Sequence, residues 1–189
     1  MRVASIGVIA TCFVLVAFTC GCSTMSARSR DQEASPYPIH GISLAEWMKL
    51  VDSAVSRLPA TSAVTHIRIR KGPGAVLSII RNDADKPRAI THLHFELKAG
   101  RWKLDHKEAK EVPSKPAATW IGDIASLLQD MVGQIPANAR ILGIRVQAID
   151  SIEVRTGSRT GSLGGEGNCY IFTKQRGRWL LTKSLHWIS

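Results

Sequence analysis

Apolar and polar positions divide this chain into a long apolar start, a polar stretch and then regular alternation to the end. Val3–Cys20 is a continuous apolar run behind Arg2. Residues 22–42 are rich in Ser, Arg, Pro and Ala and read as a flexible tether, stiffened by Pro36 and Pro38. Order is predicted from Ser43. Ser43-Leu44-Ala45-Glu46 has the form of a capping box, and Ile42 and Trp47 occupy the positions of a hydrophobic staple. Leu44, Trp47, Val51, Ala54, Val55 and Leu58 then recur at helical spacing until Pro59.

Strand patterns follow. Val64–Arg70 alternates, with Ile67 and Ile69 on one face and Arg68 and Arg70 on the other. Lys71-Gly72-Pro73-Gly74 is turn chemistry, and Ala75–Arg81 is apolar and β-rich. A polar loop over 82–88 leads to Ile90–Leu97, where Leu93, Phe95 and Leu97 form one face and His92, His94 and Glu96 the other. Lys98-Ala99-Gly100-Arg101 turns the chain into a strand over Trp102–His106, and residues 107–116 read as a linker. A second helix is predicted over Ala117–Gln134, with Trp120, Ile121, Ile124, Leu127, Leu128 and Met131 as its stripe and Pro136 as its stop. Strands are expected near Ile141–Gln147, Ser151–Thr156, Cys169–Lys174 and Trp179–Trp187, with a long Gly/Ser/Thr loop over Gly157–Gly167.

The two halves match at a constant offset of 77 residues. Leu58-Pro59-Ala60 aligns with Ile135-Pro136-Ala137, Ile67-Arg68-Ile69 with Ile144-Arg145-Val146, and Gly100-Arg101-Trp102 with Gly177-Arg178-Trp179. The expected fold class is therefore α+β: two similar units, each one helix followed by a three-to-four-stranded antiparallel meander, with the helices packed on the sheet. The units are placed at residues 43–110 and 117–189, either separate or fused in one domain.

The start of the chain adds a compartment. A positive residue, an apolar core and a small residue before a cysteine make an export signal. The ending Thr19-Cys20-Gly21-Cys22 resembles the lipobox of bacterial lipoproteins, with residues 1–21 as signal peptide and Cys22 as the acylated residue. Thr19 and Cys20 depart from the Leu and the Ala or Ser usual at those places. The resemblance implies a lipid anchor, and Ser23 after the cysteine implies the outer membrane, facing the periplasm. An uncleaved membrane anchor and a soluble secreted protein are the alternatives.

Charge narrows the partners. The chain has 25 Lys and Arg against 15 Asp and Glu, a net charge of +10. In an envelope such a surface suits an acidic protein face, anionic lipid or glycan, and not nucleic acid. Of four cysteines, Cys12 and Cys20 fall in the signal, so Cys22 and Cys169 remain and no internal disulfide is expected. Cys169 reads as a small buried hydrophobe.

The end of the second half also resembles a cystatin-like or NTF2-like domain, on Tyr170, Phe172, Gly177, Trp179 and Trp187. That resemblance implies a concave sheet forming a pocket.

Candidate chemistry is sparse. His92-x-His94-x-Glu96 puts three potential metal ligands on one strand face, with His66 or His106 as further donors. The same pattern also suits the solvent side of an amphipathic strand, and no cofactor is assigned. Arg155, Arg159 and Glu166 around the glycine-rich loop, with Trp187, are candidate ligand or partner contacts. Gly164-Gly165-Glu166-Gly167 lacks the Lys-Ser/Thr of a phosphate loop and precedes a strand. No nucleophile motif is present. The expectation is a non-catalytic, lipid-anchored envelope protein that binds a protein or an anionic envelope component. The alternative is a pocket-type domain that binds a small ligand or acts as a simple hydrolase.

Overall fold

Among the described residues, eleven strands join in one sheet and two helices pack on it. The computed structural model describes residues 39–189 apart from 60, 61, 71, 73, 82–88, 113–115 and 161–163. Cys22 and the apolar run Val3–Cys20 lie outside the described residues. The elements are β1 (Ile39–His40), α1 (Leu44–Val55), β2 (Ala63–Ile69), β3 (Gly74–Arg81), β4 (Ala89–Lys98), β5 (Arg101–Glu111), β6 (Thr119–Trp120), α2 (Ile121–Asp130), β7 (Ile141–Ala148), β8 (Ser151–Thr156), β9 (Ser158–Arg159), β10 (Gly165–Gln175) and β11 (Arg178–Ile188).

Local chemistry explains the starts and turns. Ser43 caps α1 by accepting from the Glu46 amide at 3.3 Å. Trp120 takes the cap position of α2 without a side-chain bond; the neighbouring Thr119 hydroxyl instead donates to Asp123 at 2.9 Å. The hairpins β4–β5 and β10–β11 both close with two residues at positive φ. Ala99 and Gly100 have φ of 50° and 72°, and Arg176 and Gly177 have 50° and 82°. Paired left-handed residues give the turn twist that matches two right-twisted strands.

The expected α+β architecture of two helix-plus-meander units is overturned. The chain is predominantly antiparallel β, and its strands join in a single eleven-stranded sheet. The long strands run β5-β4-β3-β2-β7-β8-β10-β11, with β1, β6 and β9 as short additions. The joint is the pairing of β2 with β7, where Ile67 lies opposite Ile144. The physical reason is backbone satisfaction. A meander ending at β2 or β7 would leave a row of N–H and C=O groups bare, and each strand supplies the other's partners. The core is likewise shared: Trp47, Leu50 and Val51 of α1, Ile121, Ile124, Leu127 and Leu128 of α2, and Ile67, Leu77, Leu93, Ile144, Ile152, Val154 and Phe172 of the sheet form one cluster.

The 77-residue offset carries into the element bounds. It relates β4 and β5 to β10 and β11 within a residue, and the bridge Ile42–Ile141 to the pairing of Thr119 with Val64. The β2–β7 seam is thus a quasi-twofold axis. Three other expectations need adjusting. Residues 107–111, read as linker, continue β5. The second helix is shorter than Ala117–Gln134 because Thr119 and Trp120 pair with β2 before it begins. The Gly157–Gly167 loop is interrupted by β9, which pairs with both β1 and β10.

The two edges differ. β5 alternates Lys103, Asp105, Lys107, Glu108, Lys110 and Glu111 along an exposed strand, a composition that opposes pairing with another chain. β11 exposes Leu180, Leu185 and Ile188. No helix among the described residues is long and apolar enough to cross a membrane.

Candidate functional site

Alternation along each strand sends one set of side chains into the helix-covered core and the other to the opposite face. Among the described residues no element covers that second face. Two parallel rows cross it over eight strands. The first runs His106, His94, Val76, Arg68, Gly143, Arg155, Cys169 and Leu185. The second runs Glu108, His92, Ser78, His66, Arg145, Glu153, Ile171 and Lys183. The β2–β5 side of this face is rich in imidazole, the β8–β11 side mixes Arg155, Glu153 and Lys183 with Cys169, Ile171 and Leu185, and Arg68 and Arg145 stand at the seam.

Hydrogen bonds knit the imidazole side. The buried Ser78 hydroxyl lies 3.0 Å from His66 Nε2 and 2.7 Å from His92 Nδ1, so one hydroxyl links two rings. His94 Nδ1 lies 2.8 Å from an Arg70 guanidinium nitrogen, which must donate to it. His94 also stacks on His106, with ring centroids 4.0 Å apart, and His106 Nδ1 meets Asp105 at 2.7 Å. A shallow groove of about 250 Å³ runs between these groups, lined by Arg70, His94, Glu96, Asp105 and His106.

These surroundings favour neutral rings. Burial, more than anything else, lowers the pKa of His92 and of His94; Arg68 adds to it at His92, and His106 and Arg70 add to it at His94. His66 is lowered most, from 6.5 to about 4, first by burial and then by Arg68, His92 and Arg145. A sign follows for stability. The unfolded chain protonates His66 near pH 6.5 and the folded one only near pH 4, so between those values the unfolded state holds the extra proton. The stabilisation from His66 is complete above about pH 6.5 and falls as pH drops toward 4. The loss reaches about 2 kcal/mol once solvent screening at this partly exposed site is allowed for. His66→Asn is expected to flatten the melting temperature between pH 7 and 4 relative to wild type. Parallel pH profiles for the two proteins would contradict it.

The residues singled out in the sequence fall in three places. His92, His94 and Glu96 do share one face of β4, but their partners are Ser78, Arg70 and Lys98, the last at 2.6 Å from Glu96. His66 stands 6.2 Å from His92 between ring centroids. Among the described residues no three His, Cys, Asp or Glu side chains gather as a metal site would require. At the β9–β10–β11 corner Arg159 lies opposite Gly165 and Trp187 opposite Gly167, while Glu166, between those glycines, pairs with Ser158 and Ile188 on the other face of β10. Trp187 is partly buried there, and its indole N–H donates to the Thr156 carbonyl at 3.2 Å. Arg155 sits apart from them on β8, held to Glu153. Cys169 is buried, and burial followed by the Glu153 charge pushes its thiol pKa up, which suits packing and not nucleophilic work.

Sequence reasoning missed the arginine seam. Arg68 and Arg145 form no ion pair with an acidic side chain among the described residues. Glu153, which neighbours Arg145 in its row, gives its two oxygens to Gln147 and Arg155. A signal was present: the 77-residue offset that aligns the two halves takes Arg68 onto Arg145.

Comparison with family models, with curated proteins and with solved structures finds no match for this chain.

Proposed function

We propose that this protein is a non-catalytic envelope protein, lipid-anchored through Cys22, that uses the helix-free face of its sheet to bind a protein or anionic envelope component. The observation that carries the reading is the uncovered face itself, with Arg68 and Arg145 at its centre and no acidic side chain among the described residues paired to either. Charged groups left without partners on a broad face favour an oppositely charged partner and speed its encounter. The lipobox-like ending and the tether support the membrane attachment. The Ser78 hydroxyl that occupies both His66 and His92 and the raised thiol pKa of Cys169 favour binding over turnover.

The test places a photo-reactive amino acid in the full-length protein in living bacteria. Positions Glu108 and Lys183 probe the helix-free face, and Asp52 and Gln129 probe the exposed sides of the helices. A discrete adduct from the first pair and none from the second is expected. Adducts only from the helix positions, or none from any position, would refute the reading. Fatty-acid labelling of wild type beside Cys22→Ser tests the anchor, with label expected on wild type alone.

A further inference from the structure

Four positions make one tile at the centre of the uncovered face. Arg68 lies opposite Gly143, and His66 opposite Arg145, across the antiparallel β2–β7 pair. Diagonal neighbours in such a pair stand about 7–8 Å apart at the backbone, within reach of long side chains. Arg68 and Arg145 are one such diagonal, and the quasi-twofold axis relates them. The fourth corner carries no side chain. A Cβ on Gly143 would sit 3.1 Å from the Ile67 carbonyl oxygen, so the close approach of β2 and β7 keeps that corner bare. Both guanidinium groups also act on His66, whose neutral state they favour.

We propose that Arg68 and Arg145 form a two-arginine clamp that takes one Asp or Glu side chain of a protein partner. The inference rests on the binding reading above and names the anchor within it. Guanidinium is a planar fork that meets a carboxylate through two parallel hydrogen bonds, and two forks from a symmetric diagonal can share its two oxygens. The surroundings select a protein over a membrane or polyanionic glycan. Glu108, exposed in the same row as Arg145, would repel a dense anionic surface. Ile171 and Leu185 add apolar area on one side. A central arginine pair amid mixed polar and apolar surface has the make-up of a protein interface.

The experiment pans a phage-displayed random-peptide library on the full-length protein in neutral detergent. The same panning is run on Arg68→Gln/Arg145→Gln, whose exposed substitutions are checked by circular dichroism. Wild type is expected to enrich peptides that share an Asp or Glu. Such a peptide should bind the double variant roughly 10- to 100-fold more weakly, and Arg68→Lys/Arg145→Lys to an intermediate degree. Enriched peptides without an acid, or equal affinity for wild type and double variant, would overturn the clamp. A second arm titrates glycerol phosphate. Arginine-dependent binding of that probe without an acidic peptide consensus would assign the pair to lipid headgroups and overturn the protein assignment. Photo-adducts from Glu108 and Lys183 that persist in the double variant would leave the face as a binding surface while removing the clamp from it.

Discussion

Trp47→Ala is expected to lower the unfolding free energy by about 3–5 kcal/mol, while Trp120→Ala changes it by about 0.5 kcal/mol or less. Both residues fall on predicted helix stripes, yet the structure separates them. Trp47 is fully buried at the centre of the apolar face of α1, whereas Trp120 precedes α2 and is 49% exposed. Trp47 also ties distant parts of the chain: its indole N–H donates to the Ile141 carbonyl at 3.0 Å, at the start of β7. Removing the ring opens a large cavity between α1 and the other half of the sheet. The Ile141 carbonyl keeps its bond from the Ile42 amide at 3.0 Å, so the loss is mostly packing. Trp47→Phe should then recover more than half of the deficit. Urea unfolding of the three variants reads these values, and similar losses for Trp47→Ala and Trp120→Ala would contradict the packing described.

The second large effect is expected at a glycine crossing. Gly157 and Gly167 face each other where β8 passes into β9 beside β10. A Cβ on Gly167 would overlap the Thr156 carbonyl oxygen and come within 2.9 Å of Gly157 Cα. The obstacles are backbone atoms of a paired strand and cannot rotate away. Gly167→Ala is therefore expected to cost about 3 kcal/mol or more. Gly177→Ala is the control. Its φ of +82° is unfavourable for alanine, but nothing lies within 4 Å of the new atom, so the cost is about 1–2 kcal/mol. Trp187 gives a local readout, because its indole bonds to the Thr156 carbonyl at the same crossing. In Gly167→Ala its fluorescence should shift to the red even under conditions where the protein remains folded. An unshifted spectrum with unchanged stability would mean that the strands do not approach as described.

What could be read from the sequence was mostly local. Ser43 with Glu46, and the Gly100-Arg101-Trp102 and Gly177-Arg178-Trp179 hairpins, act within a few residues, and α1 and both hairpins stand where those residues place them. Lys107–Glu111 was legible only as charge, because an edge strand exposed to water lacks the apolar alternation that marks a strand. The pairing of Ile67 with Ile144 leaves no local trace at all, and on it depends whether the meanders stand apart or merge. The same limit governs the site. Arg68 was visible as the polar side of an alternating strand, but its relation to Arg145 exists only once β2 and β7 are side by side. His92 and His94 were recognised as neighbours on one face, while the Ser78 and Arg70 partners that occupy them come from β3 and from the end of β2.

The short strand β1 has a mechanical meaning. The first described residues, Ile39 and His40, pair with Arg159 and Ser158, and Ile39 rests partly buried against the core. The next hold is the single bridge of Ile42 with Ile141, and only after it comes the buried ring of Trp47. Tension applied from the N-terminal side meets these fastenings in order of increasing strength. β1 peels first and frees a few residues while the long strands and their uncovered face keep their shape. A protein anchored at that end, as proposed above, would thus take up strain between its anchor and a bound partner without unfolding the surface that holds the partner.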